Sequence, residues 1–150
     1  MIIEGGFRVK APIQKLWDML LEPETLGSCL PGAEKIEKID DKTYDAVIKQ
    51  KVGPIKVKLQ FRNILTVVQP PTHLELEGEG EDVTKLGHMR QKTIVDLKDV
   101  GNGEVEVSYK SDVAIVGKLA MFGDRIMKSK AKDVEKEFTA NLQEKLKGIA

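Results

Sequence analysis

Four glutamates alternate with other residues along one stretch, Glu75, Glu77, Glu79 and Glu81. Carboxylates at every second strand position share a face, which is a pattern for a metal or an acidic-ligand site. The same stretch lies in hairpin register with Arg62, Arg90 and Lys92. Cross-strand ion pairs, worth ~0.2–1 kcal/mol each, are therefore the expectation for this row. Cys29, His73 and His88 are too few and too scattered for zinc, which wants four ligands or three plus water. Cys29 has no histidine nearby in sequence to activate it, and reads as a small apolar packing residue. No serine elbow, phosphate loop or dinucleotide fingerprint occurs. The residues assign no catalytic group and no metal.

Binding is better supported, by polar residues that interrupt apolar strand faces. Asn63 follows Leu59 and Phe61 in one alternating series, and Gln91 and Thr93 follow Met89 in another. Tyr109 and Ser111 precede Val113 in a third. Leu76 and Gly78 lie on the same side, and a strand glycine leaves room for a helix or a ligand. An amide buried without a partner costs a few kcal/mol. One reading is a core whose polar groups satisfy one another or ordered water. The other is a cavity whose few polar groups orient an apolar ligand.

These faces need elements to position them. Ile3, Gly5, Phe7 and Val9 alternate as a first strand. Ile13, Leu16, Trp17, Leu20 and Leu21 recur at helical spacing, predicting a short helix over Pro12–Leu21 that Pro23 breaks. A second small helix is predicted over Glu24–Cys29, ended by Pro31-Gly32. Period-two patterns follow through Ile36–Ile39, Tyr44–Ile48, Ile55–Val67, Leu74–Gly80, Met89–Leu97 and Val105–Ile115, with Gly101-Asn102-Gly103 as a hairpin turn. Short connections predict an antiparallel meander. From Gly117 a long helix pattern runs almost to Ala150, with Met127, Ala131, Val134, Phe138, Leu142 and Leu146 on one stripe.

The start of that helix carries more apolar surface than one face can bury: Leu119, Ala120, Met121, Phe122, Ile126 and Met127. Gly117 and Gly123 weaken the helix there. Either this is a loosely wound start packed on the small helices, or Met121 and Phe122 gate a cavity mouth with Leu30 and Pro31. Leu119, Phe122, Gly123, Ile126 and Met127 join the cavity expectation. Lys118, Arg125, Lys128, Lys130 and Lys132 surround the segment, with only Asp124 opposing. Such an edge is a solvated face or a surface for anionic lipid or an acidic partner, with Met121 inserted.

The chain has 150 residues, 41% apolar and 32% charged, read here as one soluble domain over 1–150. Lys+Arg 24 balances Asp+Glu 24, so no basic field exists to hold nucleic acid. The first residues lack a signal-peptide pattern, and one cysteine excludes an internal disulfide. A cytoplasmic location follows as an expectation, with peripheral contact at the inner membrane face left open.

Ala11-Pro12 followed by Trp17, Leu30-Pro31-Gly32-Ala33, Lys51-Val52-Gly53-Pro54-Ile55, and Asp112-Val113 with Gly117-Lys118-Leu119-Ala120 resemble the CoxG family of carbon monoxide dehydrogenase subunits. That family belongs to the START-like (SRPBCC), helix-grip superfamily, and the likeness runs from about Phe7 to Phe138. The resemblance implies an α+β fold: a curved antiparallel sheet of about seven strands around a long C-terminal helix, with two short helices after the first strand. It implies an accessory protein beside a molybdenum-dependent carbon monoxide dehydrogenase or related oxidoreductase, requiring no cofactor. Many members carry a partly apolar C-terminal extension resembling a membrane tether. This sequence ends at Ala150, so permanent anchoring is not expected of it.

The leading expectation is a non-enzymatic carrier of a hydrophobic small molecule, lipid or quinone-like, since carbon monoxide oxidation must pass electrons to a membrane carrier. Two alternatives stand beside it. A START-like cyclase or hydrolase would use the same cavity, but needs an inward acid or base. The inward register offers Tyr109, Asn63 and Gln91 and no Asp, Glu or His, with Asp112 and His88 outward. A docking module would use only the basic helix start.

Overall fold

A computed structural model describes residues 1–148. Strand β1 (Ile2–Lys10) is followed by helices α1 (Ile13–Leu20) and α2 (Pro23–Cys29). Six strands then run in succession: β2 (Ala33–Lys38), β3 (Thr43–Val52), β4 (Ile55–Gln69), β5 (His73–Asp82), β6 (Gly87–Gly101) and β7 (Glu104–Gly117). A 3-10 turn (Lys118–Phe122) leads into α3 (Gly123–Lys147). The expected continuation of the helix to Ala150 lies, at its last two positions, outside the described residues.

The sheet has seven antiparallel strands in the order β1-β7-β6-β5-β4-β3-β2. The meander holds from β2 to β7, while β1 pairs with the last strand and so stands at the opposite edge from β2. Helices α1 and α2 make that crossing. Alternation places one side chain in two on the face toward α3. The register shifts between Ala33 and Lys35, between Leu65 and Val67, and between Asp99 and Gly101; the second shift sets Val67 opposite the outward Glu75, and Val68 opposite Leu74.

The expected helix from Gly117 is divided. Gly117 and Gly123 both have positive φ, 86° and 75°, which L side chains rarely adopt. They bracket the 3-10 turn and set it off the axis of α3. Beyond Gly123 the apolar stripe holds, and Leu142 and Leu146 are buried. Burying a leucine this fully contributes about 1.5–3 kcal/mol. The C-terminal half of α3 sits on β1, where Phe7 and Phe138 meet edge to face at 6.0 Å. It is tied down further by Asn141, which donates to the Cys29 carbonyl at 3.0 Å, and by Gln143, which accepts from the Lys10 amide at 3.1 Å.

Apolar side chains gather in two groups. One surrounds Val9, Leu16, Trp17, Leu65, Leu97, Val107 and Leu142. The other surrounds Val52, Val57, Leu59 and Leu119, joined by Phe61, Ile115, Phe122 and Met127.

Candidate functional site

Between the two apolar groups, strand register assembles a polar band on the concave face. Asn63, Gly78, Gln91 and Val113 stand side by side across β4, β5, β6 and β7. The next row holds Leu76, Thr93 and Ser111, and the row after it sets Tyr109 beside Gly5. Gln91 donates to Asn63 Oδ1 at 3.2 Å, and the Thr93 and Ser111 hydroxyls meet at 2.5 Å. Tyr109 donates to Glu135 Oε1 on α3 at 2.7 Å. Burial, then the hydrogen bond to the Glu135 carboxylate, push the Tyr109 phenol well above its ordinary range. Six polar side chains from β4, β6, β7 and α3 thus form three pairs.

Glycine makes the closeness achievable. A side chain at Gly78 would collide with Asn63 Oδ1 and stand 2.9 Å from Gln91 Nε2. One at Gly5 would collide with Glu135 and stand 2.6 Å from the Tyr109 hydroxyl.

The expectation that no inward acid exists is corrected twice. Asp82 continues the inward parity of Leu74, Leu76, Gly78 and Gly80 and is fully buried. It accepts from the amides of Lys58 and Thr84 at 2.9 Å, from that of Leu86 at 3.3 Å, and from the Thr84 hydroxyl. Burial pushes its carboxyl up, but these hydrogen bonds outweigh it and hold the group below its ordinary value. All of this fastens the β5–β6 turn. Glu135 is the second inward acid, and its signal is present in the sequence: it falls four residues after Ala131 and three before Phe138, within the apolar stripe. Gln50 is a third inward polar residue that the alternation pattern did not bring out. It donates to the Pro31 carbonyl at 2.6 Å. His88 and Asp112 do face outward, His88 standing 3.2 Å from Glu79 and Asp112 4.0 Å from the N-terminus.

The helix start departs from the expected cavity lining. Leu119 is buried against Gly87, Phe122 rests on Gly53, and Met127 packs with the second apolar group. Met121, however, is 84% exposed and Ile126 44% exposed, and Gly123 has open space around it. The two positive-φ glycines turn these three residues outward. Pro31, through Gln50, and Phe122, through Gly53, both abut the β3–β4 hairpin, while Leu30 is only half-buried at the end of α2. A depression of about 250 Å³ opens beside that hairpin, lined by Lys51, Val52, Gly53, Ile126, Ser129, Lys130 and Asp133. Another of about 440 Å³ lies on the convex face among Lys35, Asp45, Gln60, Arg62, Glu79 and His88.

Among the described residues, Lys118, Arg125, Lys128, Lys130 and Lys132 have no carboxylate within 4.0 Å, and all but Lys130 are exposed. The outer glutamates are paired instead: Glu75 with His73 at 2.8 Å, Glu77 with Lys92 at 3.6 Å, Glu79 with Arg90 at 3.0 Å, and Glu81 with Lys85 at 2.6 Å. Arg62 differs from expectation, forming a two-point contact with Asp45 at 2.7 and 2.8 Å. Among the described residues no group of three His, Cys, Asp or Glu gathers as a metal site, and no helix is long and apolar enough to cross a membrane.

A curved antiparallel sheet closed by one long C-terminal helix, with two short helices after the first strand, is the START-like, helix-grip fold. The model of the CoxG family of carbon monoxide dehydrogenase subunits matches residues 5–147, and the chain belongs to that family. No curated protein matches the sequence. Among solved structures, a conserved protein from Geobacillus kaustophilus is 23% identical, covering 99% of this chain and 96% of its own, with a TM-score of 0.89. A START superfamily protein from Mycobacterium smegmatis is 8% identical over 99% of both chains, with a TM-score of 0.75. The Zhui aromatase/cyclase from a Streptomyces species is 12% identical, covering 97% of this chain and 92% of its own, with a TM-score of 0.68. At these identities the likenesses establish the fold.

Proposed function

We propose that this protein is a non-enzymatic accessory carrier that holds an apolar small molecule, lipid or quinone-like, between the sheet and the first half of α3. It would serve a molybdenum-dependent carbon monoxide dehydrogenase or a related oxidoreductase, as its family membership suggests. The observation that carries this reading is the unequal attachment of α3. Among the described residues, no side chain of Gly123–Val134 makes a hydrogen bond or ion pair with the rest of the protein, while Glu135, Asn141, Gln143 and Lys145 all do. The polar pairs close on one another in this conformation, so a ligand enters as that first half lifts from the sheet. Low local stability is what a loading element needs. Catalysis is disfavoured because Asp82 is occupied by its turn and the Tyr109 phenol is held protonated.

The exposed Met121 and the cations Lys118, Arg125, Lys128, Lys130 and Lys132, unpaired among the described residues, support a contact surface beside the ligand site, for the partner enzyme or transiently for the inner face of the membrane. This fits a cytoplasmic protein that is peripheral when loading. Solvent extraction of the purified protein, followed by mass spectrometry and by titration with added short-chain quinones, tests the carrier reading. Co-purification or saturable binding of an apolar molecule is expected; finding neither would overturn it.

A further inference from the structure

The charge distribution of the concave face restricts the ligand further, given the carrier reading above. The inward residues of β3 to β7 and of β1 include no Lys, Arg or His, as the strand registers show. Lys130, the part-buried cation in the first half of α3, lines the outer depression together with Asp133. Of the two inward acids, Asp82 has its carboxylate engaged by the β5–β6 turn, which leaves Glu135 as the charge beside the polar band. Tyr109 binds one of its carboxylate oxygens, Oε1. The rows of the band that follow Tyr109 along the sheet offer only neutral donors and acceptors: the Thr93–Ser111 hydroxyls and then the Asn63–Gln91 amides.

We propose that Glu135 selects the ligand by charge, so that the site takes neutral apolar molecules bearing hydroxyl or carbonyl groups and refuses those ending in carboxylate or phosphate. An anionic head group would meet a carboxylate in a part-buried setting with no inward Lys, Arg or His on β1 or β3 to β7 to compensate it, and like charges at low dielectric repel strongly. A hydroxyl or carbonyl instead finds partners in the band, because each amide and hydroxyl there retains hydrogen-bonding capacity beyond its one internal bond. Glu135 thus acts as a specificity-determining residue through its charge.

The test compares 1-dodecanol with dodecanoate on the full chain at about pH 8, where dodecanoate is ionised, by titration calorimetry and native mass spectrometry. Any apolar site favours the alcohol to some degree, so the decisive quantity is how that preference responds to Glu135→Gln. The wild type is expected to prefer the alcohol by more than about tenfold, and Glu135→Gln to shrink the preference by about tenfold. Tyr109→Phe keeps the carboxylate and is expected to keep the preference. A merely structural role for Glu135 would weaken both ligands alike and leave the ratio unchanged. An unchanged ratio in Glu135→Gln, or equal binding of both ligands by the wild type, overturns the charge selection and leaves the carrier reading standing. Binding of neither ligand to the wild type overturns the carrier reading and this inference with it.

Discussion

Tyr109 of β7 donates its phenolic hydrogen to Glu135 of α3 at 2.7 Å, directly over the bare backbone of Gly5. This contact separates the fastened half of α3 from the half whose side chains have no polar ties to the rest of the protein among the described residues. The other tyrosine of the chain, Tyr44, is buried and donates to the Leu21 carbonyl at 2.6 Å. Burial, with Glu135 for one and Asp41 for the other, raises both phenols above the ordinary value of 10.0. Because the folded values are raised, the unfolded chain releases these protons first, and stability falls as pH rises above 10.0. Absorbance at the phenolate band is therefore expected to stay flat through that pH and to rise only as near-ultraviolet circular dichroism is lost. Ionisation of either tyrosine with the fold intact would contradict this.

Asp82 should be among the most sensitive positions. Replacing it by alanine strips partners from the part-buried amides of Lys58, Thr84 and Leu86, at a cost of about 2–3 kcal/mol. Its folded carboxyl lies below the ordinary 3.8, so its contribution is present above that pH and disappears as pH falls through the lowered value. Urea denaturation of Asp82→Ala near neutral pH measures the loss. A midpoint equal to wild type would show that the turn does not depend on this carboxylate.

His73 sits between two carboxylates, with Nδ1 2.5 Å from Asp96 and Nε2 2.8 Å from Glu75. The bonds to Asp96 and then Glu75 raise its pKa above the ordinary 6.5. Its contribution to stability is thus complete below 6.5 and fades as pH rises through the folded value. NMR titration of the imidazole protons should give a His73 midpoint above 6.5, shifted down in Asp96→Asn. A midpoint at 6.5 or lower would mean that the clamp does not persist in solution.

Two glycines should respond in opposite directions. Gly27 lies within α2 with open space where a Cβ would go, so Gly27→Ala is expected to stabilise by about 0.5–1 kcal/mol. Gly117 has φ 86° and backbone atoms of Gly87 and Leu86 at 2.9 and 3.0 Å from that position, so Gly117→Ala should destabilise by about 1–3 kcal/mol. Thermal melts of the two variants check the pair, and an unchanged or raised melting temperature in Gly117→Ala would contradict the positive-φ turn at that position.

The basic surface predicts a salt-sensitive association. Reversing Lys128 and Lys130 to glutamate should weaken binding to the partner oxidoreductase or to anionic vesicles while leaving the melting temperature within a few degrees. Co-sedimentation at low and high ionic strength reads the effect. Unchanged association in the double variant would remove this surface from the functional reading.

Much of this is legible along the chain. The alternation through Asn63, Gln91, Thr93, Tyr109 and Ser111 places all five on one face, as the structure finds. Glu77 and Glu79 pair across the strands with Lys92 and Arg90 as the register predicts, whereas Glu75 pairs with His73, Glu81 with Lys85, and Arg62 turns to Asp45. Asp82 escapes the alternation pattern as read from Leu74 to Gly80, though its parity with Gly80 is present in the sequence. Met121 is exposed as a contact surface requires, but the outward turn of Gly123 and Ile126 is not foreseen, because helical periodicity assumes an unbroken axis, and Gly117 and Gly123 break it.

Side-chain alternation is a property of the extended backbone, so the sequence alone determined which residues face α3 and that polar groups interrupt that face. Whether those groups pair with one another depended on residues 18 to 28 positions apart, brought together by strand register and by the rotation of α3. Local pattern specifies neither quantity. Packing of Phe138, Leu142 and Leu146 set the rotation, and only the tertiary structure therefore placed Glu135 against Tyr109.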